Sequence, residues 1–501
     1  MTSTQPTATT DYDVVIVGAG ISGIGAAHYL RTEHPEKSFT ILESRDAIGG
    51  TWDLFRYPGI RSDSDLYTFG YEFKPWRDEQ SIADAPRILE YLREAVAEDH
   101  LEDKITFHRR VIAADWSDAD QAWHLTVART DKGPRAKTET ITTRWLFSGT
   151  GYYNYEQGYS PEFPGSDRFG GQIVHPQHWP EDLDYKGKKV VVIGSGATAV
   201  TLLPAMAPDT EHITMLQRTP SYIMPLPRHD PIARGLMRVF GDERGYQLSR
   251  QKNILQSKAI YQYCQRFPKL ARATIRKVNE SQLPKGYDID THFNPPYDPW
   301  DQRLCAVPDA DLFKQLRKGQ ASMVTGQIKT FDETGIELQD GRHLDADIII
   351  TATGLNLQLF GGMDLSVNGE PVDLPSRIAY RGAMLSGVPN FIMAIGYTNS
   401  SWTLKIGLLC EWFCRVLSHM DRDGYASVRP VAPKNMETRP ILDFDAGYVK
   451  RALDTLPKQG AADPWKTTMA VSHDVKNLRK GAVDDGFLRY EKVKAPVSTP
   501  A

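Results

Sequence analysis

The chain has 501 residues, 41% of them hydrophobic and 24% charged, with a formal net charge of −4. This length holds two or three domains with sizeable cores, and the slightly acidic balance gives no reason to expect nucleic acid as a partner. The four cysteines (Cys264, Cys305, Cys410 and Cys414) form no C-x-x-C pair, which argues against disulfides and a metal site and fits a reducing compartment.

The first ten residues are polar and lack the apolar segment of a secretory signal. No run of about 20 apolar residues is present to cross a bilayer. The expectation is a cytoplasmic protein whose contact with a membrane is at most weak and peripheral. The chain then opens with Asp13-Val-Val-Ile-Val17, a β-branched run typical of a buried parallel strand. It leads into Gly18-Ala-Gly20-Ile-Ser-Gly23 and a helix rich in small residues. In this fingerprint Gly18 allows the tight turn, Gly20 lets a pyrophosphate approach the backbone, and Gly23 lets helix and strand pack closely. The helix N-terminus offers free N–H groups and a positive dipole end to the phosphates. A second strand over 38–42 ends at Glu43, 20 residues past Gly23, where a ribose-binding carboxylate is expected. Next come Gly49-Gly50-Thr51-Trp52 and Arg56-Tyr-Pro-Gly-Ile-Arg-Ser-Asp63, a loop able to cover a flat cofactor ring or, equally, to serve as an aromatic core loop.

Residues 101–148 alternate apolar and polar and read as antiparallel strands inserted in the first domain. Phe169-Gly-Gly171-Gln-Ile-Val-His175-Pro-Gln-His-Trp179-Pro180 reads as a loop joining two cofactor domains. Directly after it, Lys188-Lys-Val-Val-Val-Ile193 leads into Gly194-Ser-Gly196-Ala-Thr198-Ala199, the G-x-G-x-x-A form of the same fingerprint. The following strand ends at Gln217-Arg218 rather than at an acid. An arginine there suits the 2′-phosphate of NADP. The chain therefore reads as an α/β protein with two Rossmann-like dinucleotide domains, the first for FAD and the second for NADPH.

Residues 228–285 hold 13 Lys/Arg against 4 Asp/Glu and many helix formers. They are expected to form a helical insertion whose basic face is solvated near an anionic cofactor. Asp347-Ile-Ile-Ile-Thr-Ala-Thr353-Gly354 reads as a buried strand and glycine turn crossing back to the first domain. A further strand over 391–396 precedes an amphipathic helix over 404–420, and the tail beyond about Tyr490 is expected to be loosely held. The domain division is a first FAD-binding part at 1–150, a linker and first NADP-binding part at 151–222, the insertion at 223–299, a second NADP-binding part at 300–352, and a second FAD-binding part with the tail at 353–501.

Two longer patterns are complete. F-x-G-x-x-x-H-x-x-x-W-P is filled by Phe169, Gly171, His175, Trp179 and Pro180, and G-G-x-W-x-x-x-x-Y-P-G-x-x-x-D runs from Gly49 to Asp63. On these motifs the chain resembles the type I Baeyer–Villiger monooxygenases, a class B flavoprotein family. Strings such as Asn-Pro-Pro-Tyr-Asp-Pro-Trp-Asp-Gln-Arg-Leu are most similar to its actinobacterial, ethionamide-activating branch. The resemblance implies NADPH reduction of FAD, O₂ addition to give a flavin C4a-peroxide, and oxidation of ketones to esters or lactones, with sulfoxidation of thioethers or thioamides. It places the catalytic arginine at Arg303 and its carboxylate partner at Asp63, puts Trp402 beside the cofactor, and suggests a hinge role for His175 and Trp179. A permanently charged arginine beside an oxygen anion is physically apt. Where many relatives carry Lys before the catalytic Arg, this chain has Gln302, which leaves Arg218 to carry the NADPH preference.

The alternatives are an N- or S-oxygenating enzyme of the sister flavin-containing monooxygenases, a dithiol reductase and a flavoprotein redox sensor. Trp179 and the Asp63/Arg303 pair speak against the first. No cysteine pair follows the first fingerprint, as the second requires, and a sensor has no need of Arg303.

Overall fold

The β-branched run at the start forms the strand Tyr12–Val17, buried along its last four residues and paired in parallel on both sides. Its neighbours are Phe39–Leu42 and the long strand Glu139–Ser148. The computed structural model describes residues 10–133, 136–302, 304–442 and 446–493. Arg303 lies outside the described residues, as does the chain beyond 493.

Two sheets organise these residues. The first has nine strands and holds the meander Arg109–Ser117, Ala122–Arg129 and Glu139–Ser148, antiparallel as the alternation required. Its core includes Trp145 and Phe147, both against Phe413 of the helix Trp402–Asp423. That helix outruns the expected 404–420, because its stop signal is Gly424 in the left-handed conformation rather than a change in periodicity. The second sheet is five-stranded and parallel, in the order Ala321–Thr325, His212–Gln217, Lys189–Ile193, Ile348–Thr351 and Gln172–Val174.

Two sequence expectations change here. The 169–180 stretch is not wholly a loop: Gln172–Val174 is an edge strand in register with Ile348–Ile350. Three residues are too few to give a periodic signal. Residues Ile223–Leu226 precede the helical insertion as a strand, parallel to Cys305–Pro308. At the C-terminal end Leu488–Lys492 forms a strand paired with Tyr425–Pro430, while the tail beyond 493 lies outside the described residues.

The chain crosses between the sheets twice, and the crossings run side by side. Asn154 N donates to Asn356 O, Gln358 N to Tyr152 O, and Tyr159 N to Gly354 O, at 2.9–3.0 Å. Tyr153 and Leu357 form an antiparallel bridge between them. The result is a hydrogen-bonded ribbon that fixes one sheet against the other.

The insertion consists mainly of Pro231–Phe240, Asp242–Arg266 and Pro268–Gln282. It is gripped from within. Arg250, buried on the middle helix, donates through one guanidinium nitrogen to the carbonyls of Tyr67, Thr68 and Gly70 at 2.8–3.2 Å. These groups lie at the C-terminal end of the short helix Leu66–Phe69, where carbonyls lack helical partners and the dipole favours a cation. One turn on, Asn253 donates to Asp65 at 2.7 Å. Arg250→Met leaves those carbonyls buried without the charge that satisfied them and is expected to destabilise the protein by about 2–4 kcal/mol. Urea unfolding followed by circular dichroism checks this, with a midpoint clearly below that of the parent.

Candidate active site

The first fingerprint is built around a contact that a Cβ would forbid. A methyl group at Gly23 would lie 1.9 Å from the Gly18 carbonyl oxygen. Helix Ile21–Glu33 therefore sits directly on the end of the first strand, capped by the backbone of Gly20 alone. Its first N–H groups face a cavity of about 1020 Å³. Glu43, buried at the end of the second strand, does more than wait for a ligand: one carboxylate oxygen accepts from Ala19 N at 2.7 Å and the other from Arg45 N at 2.9 Å. It holds the fingerprint loop in shape while still lining the cavity.

Gly18, Gly20, Glu43, Gly50, Thr51 and Trp52 all line this one cavity. So do Asp63, Thr198 and Trp402. Trp402 is fixed by its indole N–H, which donates to Ser22 Oγ at 2.8 Å, and by close approach to Gly396, where a Cβ would stand 2.4 Å from the ring. Thr51 Oγ1 and Tyr155 OH are 3.1 Å apart, and burial pushes the Tyr155 phenol up to about 12. Burial likewise raises Tyr57, hydrogen-bonded to Thr198, to about 12. Both hydroxyls thus stay protonated, as donors, across the physiological range. Leu304 and Trp300, on either side of the 302–303 step, reach the same cavity as Asp63.

The sequence reading missed several lining residues. Asp65 stands two residues past Asp63, held by Asn253 and Thr68, and burial pushes its carboxyl up. The Asp-Ser-Asp spacing at 63–65 was a signal for a second acid on the same wall. Arg109 and Arg110 line the end nearest Glu43, whose carbonyl accepts from Arg109 N at 2.8 Å. The outer end is formed by the insertion, through Ile232, Lys252, Gln256 and Ile260.

The second fingerprint stands mostly apart. Gly194, Gly196, Ala199 and Arg218 do not line the cavity, although Ala197, Thr198 and Thr201 of the same helix do. Gly196 caps helix Ala197–Met206 with its backbone only, and Arg218 is exposed at the end of its strand. Thr353 and Gly354 lie in the crossing ribbon instead, where Thr353 Oγ1 donates to Tyr159 O. Gln302 is half-buried.

The 169–180 stretch ties this ribbon to the second sheet. Phe169 packs edge-on to Phe331, and Trp179 packs on the core beneath the parallel strands. Gly171 lies against the Asp347 carbonyl, and Pro180 follows Trp179 at the surface of the same sheet. From this anchored base Gln177 donates to Asn154 O at 2.8 Å and His178 Nε2 to Glu156 O at 2.9 Å. His175 lies on bare backbone: a Cβ at Gly158 would stand 2.0 Å from its ring. Its Nδ1 accepts from Gln177 N at 3.2 Å, so the ring is held neutral with its proton on Nε2. Burial holds its pKa below the usual 6.5.

Comparison with known proteins places these features among flavoproteins. Residues 11–368 match the family described as flavin-binding monooxygenase-like. The FAD-containing monooxygenase EthA of Mycolicibacterium smegmatis is 51% identical over 492 residues, covering 98% of this chain and 99% of that protein. EthA of Mycobacterium tuberculosis is 50% identical over 487 residues, covering 97% and 99%. Among solved structures, an oxidised steroid monooxygenase bound to NADP superposes with a TM-score of 0.75 at 22% identity, covering 96% of this chain and 99% of that one.

The seat of His175 has a pH signature. A folded pKa below the unfolded value means that the unfolded chain takes the proton first, so the stability due to the neutral ring is present above about 6.5 and lost as pH falls below it. Side-chain NMR of His175 is expected to give a midpoint below 6.5. Gly158→Ala, which lifts the ring into solvent, is expected to move that midpoint up toward 6.5.

Proposed function

This chain belongs to the flavin-binding monooxygenase-like family, and we propose that it binds FAD in the cavity beside the first fingerprint, oxidises NADPH and converts ketones to esters or lactones. The overall balance is ketone, NADPH, H⁺ and O₂ to ester, NADP⁺ and water. Thioethers and thioamides are further substrates of the same oxygen transfer. The observation that carries this reading is the convergence on one cavity of the fingerprint glycines, Trp52, Trp402, Asp63 and Leu304, the immediate neighbour of Arg303.

The residues present fit a dinucleotide. The helix N-terminus at Gly20–Ile21 has no side-chain cap of its own to compete for its N–H groups. Gly18 and Gly20 would hold the pyrophosphate, Glu43 the ribose, and Gly50, Thr51, Trp52 and Trp402 the ring. Gly194, Gly196, Thr198 and Ala199 would carry NADPH, with Arg218 on its 2′-phosphate. The domain division at 150, 222, 299 and 352 belongs to the same proposal: the nine-stranded sheet serves FAD and the five-stranded sheet NADP. When bound, FAD supplies the redox chemistry, accepting a hydride from NADPH and activating O₂.

The chain's own residues then do the positioning. Arg303 would supply a charge that cannot be deprotonated to the oxygen that becomes negative, and Asp63 would orient it. Tyr155 and Tyr57 remain neutral donors. His175 and Trp179 join the ribbon to the second sheet and would tie rotation of that domain to the two positions of the nicotinamide.

Incubation with NADPH and a panel of aryl, cyclic and long-chain ketones, with products identified by mass spectrometry, is expected to give esters or lactones. Thioether oxidation without ester from any ketone would replace this reading with S-oxygenation. Arg303→Ala is expected to keep the flavin absorbance and lose ester formation by roughly 10²-fold or more; an unchanged ester yield would remove Arg303 from the mechanism. Arg218→Ala is expected to raise KM for NADPH roughly 10- to 100-fold, the size of a lost charge-assisted hydrogen bond, while KM for NADH stays unchanged.

A further inference from the structure

Exposed apolar side chains are not spread evenly over this protein. Among the described residues twelve large hydrophobics are exposed, and seven of them fall between positions 232 and 278, in the helical insertion. Val239 is 72% exposed, Leu255 65% and Ile232 60%. Ile232 and Val239 are seven residues apart on one helix, so they share a side of it. Patches of this kind mark interaction sites rather than ordinary surface.

The charge of this segment is mostly positive, with 13 Lys/Arg against 4 Asp/Glu over 228–285. Arg234 and Arg238 are exposed on the same helix, on a different side from Ile232 and Val239, and Lys269 and Lys277 follow on the third. Arg238, Lys269 and Lys277 make no ion pair among the described residues. Two cations lie over exposed rings, with Arg244 at 5.6 Å from the Phe240 centroid and Arg266 at 6.0 Å from that of Phe267. The acids nearby, Asp242 and Glu243, face Arg77, and Glu79 faces Arg234. An apolar strip flanked by cations is complementary to anionic headgroups over acyl chains. A second copy of the same basic face would meet it with like charge.

The patch also adjoins an entrance. Ile232 belongs both to the exposed strip and to the cavity lining, with Pro231, Gln256 and Ile260 beside it. We propose that the helical insertion is a docking surface for an anionic lipid membrane, which seats the outer end of the main cavity at the lipid surface. No helix among the described residues is long and apolar enough to cross a membrane, so the contact is interfacial. Apolar molecules dissolved in the bilayer would then enter the cavity without crossing water. The docking itself does not depend on the chemistry proposed for the cavity.

Flotation of the full chain with vesicles tests this. The protein is expected to float with vesicles of equal parts phosphatidylglycerol and phosphatidylcholine, to stay behind with phosphatidylcholine alone, and to be released by high salt. Val239→Glu/Leu255→Glu and, separately, Arg238→Glu/Lys269→Glu are expected to lower the bound fraction roughly tenfold or more, with unchanged melting temperatures. Equal flotation of the variants, or equal binding to neutral vesicles, would overturn the proposal. So would absence of vesicle binding together with a dimer in sedimentation that the same variants dissociate, which would make the face a self-association surface.

Discussion

The hydrogen-bonded ribbon between the two chain crossings is the constraint on which the rest depends. Each sheet has its own core, and only a few segments join them. The bonds from Asn154, Gln358 and Tyr159 tie the outgoing crossing to the returning one. The 169–180 stretch then anchors this ribbon to the second sheet through Phe169, Trp179, Gln177 and His178. The cavity takes walls from both sides, with Gly18 and Trp52 from one and Thr198 from the other. Arg61 and Asp311 add a direct ion pair at 2.6 Å between the loop around Asp63 and the helix beside the second sheet. Loosening the ribbon would separate the two walls of that cavity.

Much of this was legible in the sequence where a local steric rule decides the outcome. The strand, glycine turn, helix and acid at 12–43 follow from packing that only glycine permits, and Gly23 against Gly18 realises that rule. The buried β-branched runs gave the parallel strands, and alternation gave the meander. What escaped was structure set by partners distant in the chain. Gln172–Val174 becomes a strand because Ile348–Ile350 offers it an edge. Ile223–Leu226 does so because of Cys305–Pro308. The wall residues Asp65 and Arg109 acquire their place from the insertion and the meander, which no local pattern announces. Glu43 was legible as an acid in the right place, but its bond to Ala19 N was not.

The electrostatics are similarly uneven. A net charge of −4 over 501 residues conceals a segment with 13 cations and 4 acids. From sequence alone that excess was expected to be solvated near an anionic cofactor. The structure leaves most of these cations exposed and also exposes Ile232, Val239 and Leu255 in the same segment, and the mixture of cation and apolar surface changes what the face can recognise.

Arg250 gives the insertion a further consequence. Its guanidinium holds the end of the Leu66–Phe69 helix, and Asn253 beside it holds the Asp65 carboxylate. The middle helix of the insertion is therefore bonded directly to the wall of the cavity. The seating of the insertion and the position of Asp65, on the wall beside Asp63, are thus set by the same bonds.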